Sequence, residues 1–187
     1  FFHNYSFWVN EYSLNTSNKT CINGVFIKKL IKFQKKHKNI YIIIIYVVFL
    51  QQYESMFNIK KYREIQEILK KNTESCKIIA ISKNHPEESI MEAIKLGVNI
   101  FGENRVIEAK KKFANIKIKH PKIELHLTGP LQSNKVKEAV AIFDVFHTLD
   151  REKIALEFSK YKDKITNKLF FIQINTGEEE PKSGVYK

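Results

Sequence analysis

Short apolar segments alternate regularly with amphipathic segments of helical period between residues 77 and 174. The apolar segments predict five strands, at 77–82, 98–101, 123–128, 143–148 and 169–174. The segments between them predict helices at 86–96, 103–114, 132–141 and 150–161, and a further amphipathic helix is predicted before the first strand, from Tyr53 to Lys71. Strands and helices that alternate with short joins are typical of a parallel sheet with right-handed crossovers. We therefore predict an α/β fold.

The number of predicted strands indicates an incomplete barrel. A closed TIM-type (β/α) barrel has eight strands and typically about 250 residues, whereas this chain has 187 residues. We predict a partial TIM-type (β/α) barrel over residues 53–187, with about five of the eight strands present. The sequence contains no GxGxxG and no GxxxxGK[ST] motif, which argues against a dinucleotide or nucleoside-triphosphate site.

Lys83 is placed at the carboxyl end of the first predicted strand. It ends the apolar run Lys77-Ile-Ile-Ala-Ile-Ser-Lys83, and Pro86 then predicts the start of a helix. Ligands of α/β proteins bind at this end of the strands. An amine held there against apolar walls has its charged form disfavoured and can act as a nucleophile toward an aldehyde. On position alone, a lysine that simply extends from the strand end into water is the commoner situation.

Polar residues also follow the other predicted strands. The residues at or just past the strand ends are Lys83, Asn104, His126, Thr148 and Asn175. Apolar and polar residues alternate along the strand at 123–128, which directs the polar set into the barrel and the apolar set toward the helices. Any one of these polar residues could simply mark where a strand stops. As a set they favour one shared cleft at the carboxyl ends of the strands.

Six segments together resemble one protein family. In chain order they are Ala80-Ile-Ser-Lys83, Val98-Asn-Ile-Phe-Gly-Glu-Asn-Arg-Val-Ile-Glu108, Ile123-Glu-Leu-His-Leu-Thr-Gly-Pro-Leu-Gln-Ser-Asn-Lys135, Phe146-His-Thr-Leu-Asp-Arg151, Phe170-Phe-Ile-Gln-Ile-Asn175 and Lys182-Ser-Gly-Val185. In this order they resemble the pyridoxal phosphate homeostasis protein family, whose members are cofactor-binding (β/α) barrels similar to the barrel domain of alanine racemase. The resemblance covers Tyr53 to Lys187.

The resemblance implies a cofactor, pyridoxal 5′-phosphate (PLP), held as a Schiff base on Lys83. It further implies that Asn104 lines the cofactor ring and that His126 lies beneath or beside the ring. For His126, a core histidine hydrogen-bonded to the backbone is an equal alternative. Thr148, Asn175, Ser183 and Gly184 complete the expected cofactor-binding set. We expect no catalytic residue and no metal ligand.

The function that the resemblance implies is intracellular PLP (vitamin B6) homeostasis without established catalysis. PLP-dependent apoenzymes are the expected partners, and we expect a cytoplasmic monomer. An amino-acid racemase is one alternative, although it would need a second β-domain and a tyrosine base. A basic nucleic-acid-binding or scaffold module is another, because the net charge is +12 and Lys110–Lys112 is a basic run. Such runs are usually solvated helix faces, so we expect no specific nucleic acid.

We expect residues 1–52 to be an unrelated N-terminal extension, either mis-annotated or poorly ordered. The apolar run at 40–50 has eleven residues, whereas a membrane-spanning helix needs about twenty, so we predict no membrane association. Two cysteines, Cys21 and Cys76, are too few for a disulfide framework and favour a reducing compartment.

At the other end, the resemblance indicates a C-terminally truncated barrel. Members of this family hold the cofactor phosphate in loops that follow the last strands of the barrel, and they place an arginine from a late strand near the pyridine nitrogen. Both features lie beyond the point that corresponds to Lys187. We therefore expect weak cofactor binding, and an open sheet edge that hinders folding.

Overall fold

The computed structural model describes residues 44–46, 57–72, 76–177 and 183–185. In these residues the chain forms one six-stranded sheet in which every strand is parallel to its neighbour and the strands follow chain order. The strands are β1 (Ile44–Tyr46), β2 (Ile78–Ile81), β3 (Ile100–Glu103), β4 (Glu124–Leu127), β5 (Val145–Leu149) and β6 (Leu169–Ile172). The predicted α/β fold and all five predicted strands are confirmed.

Helices connect the strands. They are α1 (Ile59–Asn72), α2 (Glu87–Lys95), α3 (Val106–Lys119), α4 (Val136–Ile142), α5 (Glu152–Ser159) and α6 (Lys162–Ile165), and a 3-10 turn at Ser133–Lys135 precedes α4. Acidic residues lie in the first turn of α2, and Gly97, just after its end, has φ +89°. This is the left-handed conformation that glycine adopts most readily at a helix end.

The strand β1 was not predicted from the sequence. Its three residues pair in parallel with β2, with Ile44 opposite Ile78 and Tyr46 opposite Ala80. It belongs to the segment 1–52 that we expect to be an unrelated extension, and the rest of that segment lies outside the described residues. The boundary at residue 52 therefore stays a prediction. None of the helices in the described ranges has the length and apolar character needed to cross a bilayer.

The third helix begins later and ends later than the predicted range 103–114. Glu103 is the last residue of β3 and pairs with Leu127, and its carbonyl accepts a hydrogen bond from the Thr128 amide. These ladder contacts keep Glu103 and Asn104 extended, so α3 begins at Val106. The predicted helix at 150–161 is likewise divided into α5 and α6.

The main hydrophobic core lies between the helices and one face of the sheet. Helix α3 contributes a stripe of buried residues at helical spacing, Val106, Ala109, Phe113 and Ile116. They belong to the same apolar cluster as the strand residues Ala80, Phe101, Leu125, Leu127 and Phe146. Along each strand, residues next to these point to the other face.

We call this other face the inner face. Its residues include Ile79, Ile81 and Thr128, whose side chains converge on Gly102. A Cβ atom at Gly102 would lie 2.5 Å from Ile81 Cδ1, so only glycine lets that side chain lie across β3. Ile79 and Ile81 are both buried.

Candidate functional site

Lys83 lies in a tight loop at the carboxyl end of β2. The preceding side chain, Ser82, points toward α3, and continuing the alternation of β2 past Ser82 predicts the inner face for the half-buried Lys83 in the turn that follows. Asn84 has φ +61°, a left-handed conformation that asparagine tolerates better than most residues. The main-chain N–H of Asn84 donates to Glu108 Oε1 at 2.6 Å. Pro86 then precedes α2.

A buried ion pair lies beside this loop, on the helix side of the sheet. Glu103 is fully buried, and its Oε1 accepts hydrogen bonds from Ser82 Oγ at 2.7 Å and from Lys112 Nζ at 2.6 Å. Burial raises the pKa of the Glu103 carboxyl, and the Lys112 and Ser82 hydrogen bonds offset only part of this rise. The pKa of Glu108, in contrast, is lowered, because its hydrogen bonds from Lys112 and Asn84 outweigh its partial desolvation.

Asn104 follows β3 and contacts the end of β4. The Thr128 hydroxyl donates to Asn104 Oδ1 at 2.8 Å, and the Glu103 carbonyl lies 3.2 Å from the same hydroxyl. Gly129 lies directly against this residue, since a Cβ atom there would be 2.4 Å from the Asn104 carbonyl oxygen. The close approach fixes the backbone of Asn104 and leaves its amide NH₂ group available as a donor.

Two histidines and a glutamate form a chain of hydrogen bonds on the inner face. Glu124 Oε1 lies 2.8 Å from His126 Nε2, and His126 Nδ1 lies 2.8 Å from His147 Nε2. A carboxylate can only accept, so each histidine donates from Nε2 in its neutral form. Burial lowers the pKa of His126, and burial, with the neighbouring His126, lowers the pKa of His147 to about 3.

A bulge in β5 determines where Thr148 points. Two β5 residues, His147 and Thr148, lie opposite the single β6 residue Phe171. The residues on either side of the bulge, Phe146 and Leu149, pack against the helix-side core. His147 and Thr148 are therefore both left on the inner face. Thr148 is 1% exposed, and its hydroxyl has no hydrogen-bond partner among the described residues.

The last three predicted site residues form a separate group beyond β6. The main-chain N–H of Asn175 donates to the Val185 carbonyl, and the side-chain Nε2 of Gln173 donates to the Ser183 carbonyl, each at 2.9 Å. Gly184 has φ +134° and a Cβ atom there would lie 2.6 Å from the Asn175 amide nitrogen, so the position requires glycine. Asn175 is buried, whereas Ser183 is exposed.

A cleft of about 910 Å³ adjoins Asn104, between the start of α3 and the loops that follow β4 and β5. Four cationic side chains and one carboxylate, that of Glu108, line it; the cations are Arg105, Lys111, Lys135 and Arg151. Arg151 is held in place by Asp150, whose two carboxylate oxygens lie 2.7 and 2.8 Å from its Nη1. The cleft therefore offers a positive potential to an anionic group near Asn104.

The structure thus places Lys83, Asn104, His126 and Thr148 on the inner face or at its carboxyl edge, and it groups Asn175, Ser183 and Gly184 next to β6. Sequence reasoning missed Glu103, Lys112 and His147. The spacing of Glu108 and Lys112, four residues apart on one helix, was a signal for an ion pair. Nothing in the sequence indicated that Glu103 would join it.

Comparison with known proteins gives relatives with one shared name. "Pyridoxal phosphate homeostasis protein" of Vibrio cholerae is 43% identical over 114 residues, which cover 59% of this chain and 48% of the relative. The protein of the same name from Buchnera aphidicola (subsp. Schizaphis graminum) is 41% identical over 127 residues, covering 66% and 55%. The chain is a relative of the pyridoxal phosphate homeostasis proteins. It spans about half the length of these curated relatives, and no family model matches it.

Solved structures agree with this relationship to the pyridoxal phosphate homeostasis proteins. PipY of Synechococcus elongatus, solved without PLP, matches with a TM-score of 0.59 and 32% identity, covering 67% of this chain and 58% of PipY. The structure of PipY with PLP bound matches with a TM-score of 0.54 and 33% identity, covering 61% and 53%. The sheet of this chain therefore corresponds to part of the PipY fold.

Proposed function

We propose that this chain binds PLP through Lys83 and serves in PLP homeostasis as a carrier without catalytic turnover of its own. The observation that carries the proposal is the position of Lys83, a primary amine at the inner-face edge of β2 in a relative of proteins named for PLP homeostasis. The solved relative PipY has been described with PLP bound.

The residues present fit this cofactor. Bound PLP supplies an aldehyde that reacts reversibly with a primary amine, and we assign that amine to Lys83. The buried Thr148 hydroxyl lacks a partner among the described residues, which is the state expected of a group that bonds a ligand. The basic cleft beside Asn104 favours a phosphate ester over a neutral aldehyde.

Each residue has a distinct task in this proposal. Lys83 provides the attachment point, and Asn104, fixed by Thr128 and Gly129, provides an amide donor at the edge of the ring. Neutral His126 provides a flat polar surface on the inner face. We propose that Asn175, Ser183 and Gly184 form a second polar wall, and that transfer proceeds to PLP-dependent apoenzymes in the cytoplasm from a monomer.

Trapping with borohydride tests the proposal even if binding is weak, because reduction makes the linkage permanent. The chain is incubated with PLP and borohydride, and the modified lysine is located by peptide mass mapping. We expect the label on Lys83 and its loss in Lys83→Arg. Lys77→Arg is the matched control, because Lys77 lies at the opposite end of the same strand and is exposed. A label distributed over surface lysines, unchanged by Lys83→Arg, would refute the proposal.

The alternatives give different results in the same preparation. A racemase would interconvert the enantiomers of alanine after PLP is added, and chiral chromatography would detect it. A nucleic-acid module would retain a labelled oligonucleotide at moderate salt in a Lys83-independent way. We expect neither result.

A further inference from the structure

The ammonium group of Lys112 is enclosed by four oxygen atoms. Two belong to carboxylates, Glu103 Oε1 at 2.6 Å and Glu108 Oε1 at 2.9 Å. The other two are main-chain carbonyl oxygens, those of Ser82 at 2.7 Å and His85 at 3.3 Å. The Lys112 side chain is only 11% exposed. Hydrogen bonds from a charged donor in such surroundings are among the strongest in proteins.

The two carbonyl groups are on either side of Lys83 in the sequence. Lys112 therefore joins the end of β2 to the start of the following helix across the loop that carries Lys83. Glu108, which pairs with Lys112, holds the loop at a third point, because its Oε1 accepts a hydrogen bond from the main-chain N–H of Asn84 at 2.6 Å. All three points are hydrogen bonds to the main chain, so they fix the loop backbone rather than any one side chain.

The loop needs such support because of its backbone conformation. Asn84 has φ +61°, a left-handed conformation that asparagine tolerates better than most residues but that still costs more than an ordinary backbone conformation, and it is exposed. Conformations of this kind persist where the surrounding structure determines them. A change of this φ would redirect Lys83, the preceding residue, away from the inner face.

We propose that Lys112 is a positioning residue for Lys83, which fixes the 82–85 loop so that the amine faces the cofactor. This inference rests on the proposed function for the identity of the ligand. The alternative is that Lys112 only neutralises the buried Glu103 carboxylate, in which case the loop would keep its conformation without Lys112.

A double variant separates these two roles. Lys112→Met alone would leave Glu103 buried without its cation and could prevent folding. In Glu103→Gln/Lys112→Met both charges are removed, and the Gln side-chain carbonyl can still accept from the Ser82 hydroxyl, so no charge is left buried without its partner at position 103. The loop nevertheless loses the cation that bonds its two carbonyls.

Lys117→Met is the matched control. Lys117 is on the same helix, is also half-buried, and also joins a carboxylate to a carbonyl, with Asp144 Oδ2 at 2.5 Å and the Ile142 oxygen at 2.9 Å. Asp144 directly precedes β5, so these contacts lie at the amino ends of the strands, whereas Lys83 lies at the carboxyl ends.

Amide hydrogen exchange of the chain without ligand is the first measurement. We expect the Asn84 and His85 amides of the double variant to exchange about ten times faster or more than in wild type, because a hydrogen bond to a charged group changes an equilibrium by at least this factor. Amides of the core strands should keep their protection. Lys117→Met should leave residues 84 and 85 unchanged.

Borohydride trapping at Lys83 is the second measurement. We expect the double variant to be labelled about tenfold more slowly than Lys117→Met. A folded double variant with wild-type exchange at Asn84 would overturn the inference, as would an unchanged labelling rate. If wild type itself is not labelled at Lys83, the proposed function fails, and the exchange result still decides whether Lys112 fixes the loop.

Discussion

Two buried threonines on the inner face differ in whether their hydroxyl groups are hydrogen-bonded. The Thr128 hydroxyl donates to Asn104 and lies near the Glu103 carbonyl, whereas the Thr148 hydroxyl has no partner among the described residues. Both side chains are buried. A buried hydroxyl without a partner costs about 1–3 kcal/mol of stability. Thr148 is therefore costly to the fold on its own and useful only if a ligand completes its hydrogen bonding.

We expect Thr148→Val to stabilise the chain and to impair cofactor capture. The valine keeps a similar volume and removes the unpaired hydroxyl, so the free energy of unfolding should rise by about 1 kcal/mol. The rate of PLP trapping at Lys83 should fall, because the ligand loses a donor. Urea unfolding and borohydride trapping measure the two effects separately.

The same substitution at Thr128 is the control and should have the opposite effect on stability. Thr128→Val breaks a satisfied hydrogen bond and leaves Asn104 Oδ1 without its donor, so we expect a loss of about 1 kcal/mol. If both variants lose stability equally, the Thr148 hydroxyl has a bond that the structure does not show and its assignment to the ligand is wrong.

At the level of elements, the periodic patterns of the sequence were sufficient to predict the strands β2 to β6. They were not sufficient where contacts between residues distant in the sequence determine the secondary structure. Glu103 falls in the helix predicted over 103–114, but its ladder contact with Leu127 keeps it in β3. The bulge in β5 and the pairing of β1 with β2 also depend on contacts between distant residues. Lys83 and His126 could be placed from the sequence because each follows or lies within a predicted strand, whereas Asn104 fell inside the helix predicted over 103–114.

The β4–β5 pair carries the hydrogen-bonded histidines and should make the fold sensitive to acid. The pKa values of His126 and His147 are lowered by burial, His147 to about 3, from 6.5. The unfolded chain therefore binds more protons than the folded chain below about pH 6.5, and stability falls as the pH drops below that value. Glu124, whose pKa is lowered to about 2, loses its contribution only below its ordinary value of 4.5.

We expect the free energy of unfolding to be nearly constant from about pH 8 to 7 and to fall between about pH 6.5 and 5, by up to about 1.4 kcal/mol per pH unit for each buried histidine. Urea midpoints at several pH values measure this slope. In His147→Gln, whose amide can still donate to His126, the slope should decrease by the share of one histidine. An unchanged slope in this variant would show that His147 does not titrate as proposed.

On the scale of the whole molecule, β6 is the last strand in the order of the sheet that the described residues form. Leu169 and Ile172 of this strand are 55% and 53% exposed. Only a short parallel bridge between Ile174 and Val185 follows it among the described residues. An exposed apolar edge strand can pair with another chain. The net charge of +12 opposes such association at low salt and does so less when salt screens it.

We therefore expect the chain to self-associate as the ionic strength is raised from about 0.15 M to 1 M, and Ile172→Lys to reduce this association. A lysine on an edge strand discourages pairing, and an exposed position should change the unfolding free energy by no more than about 0.5 kcal/mol. Sedimentation velocity measures the association. Leu156→Lys adds the same charge on α5, where the side chain is 59% exposed but no strand edge is present. If Leu156→Lys reduces association as much as Ile172→Lys, net charge rather than the β6 edge controls it.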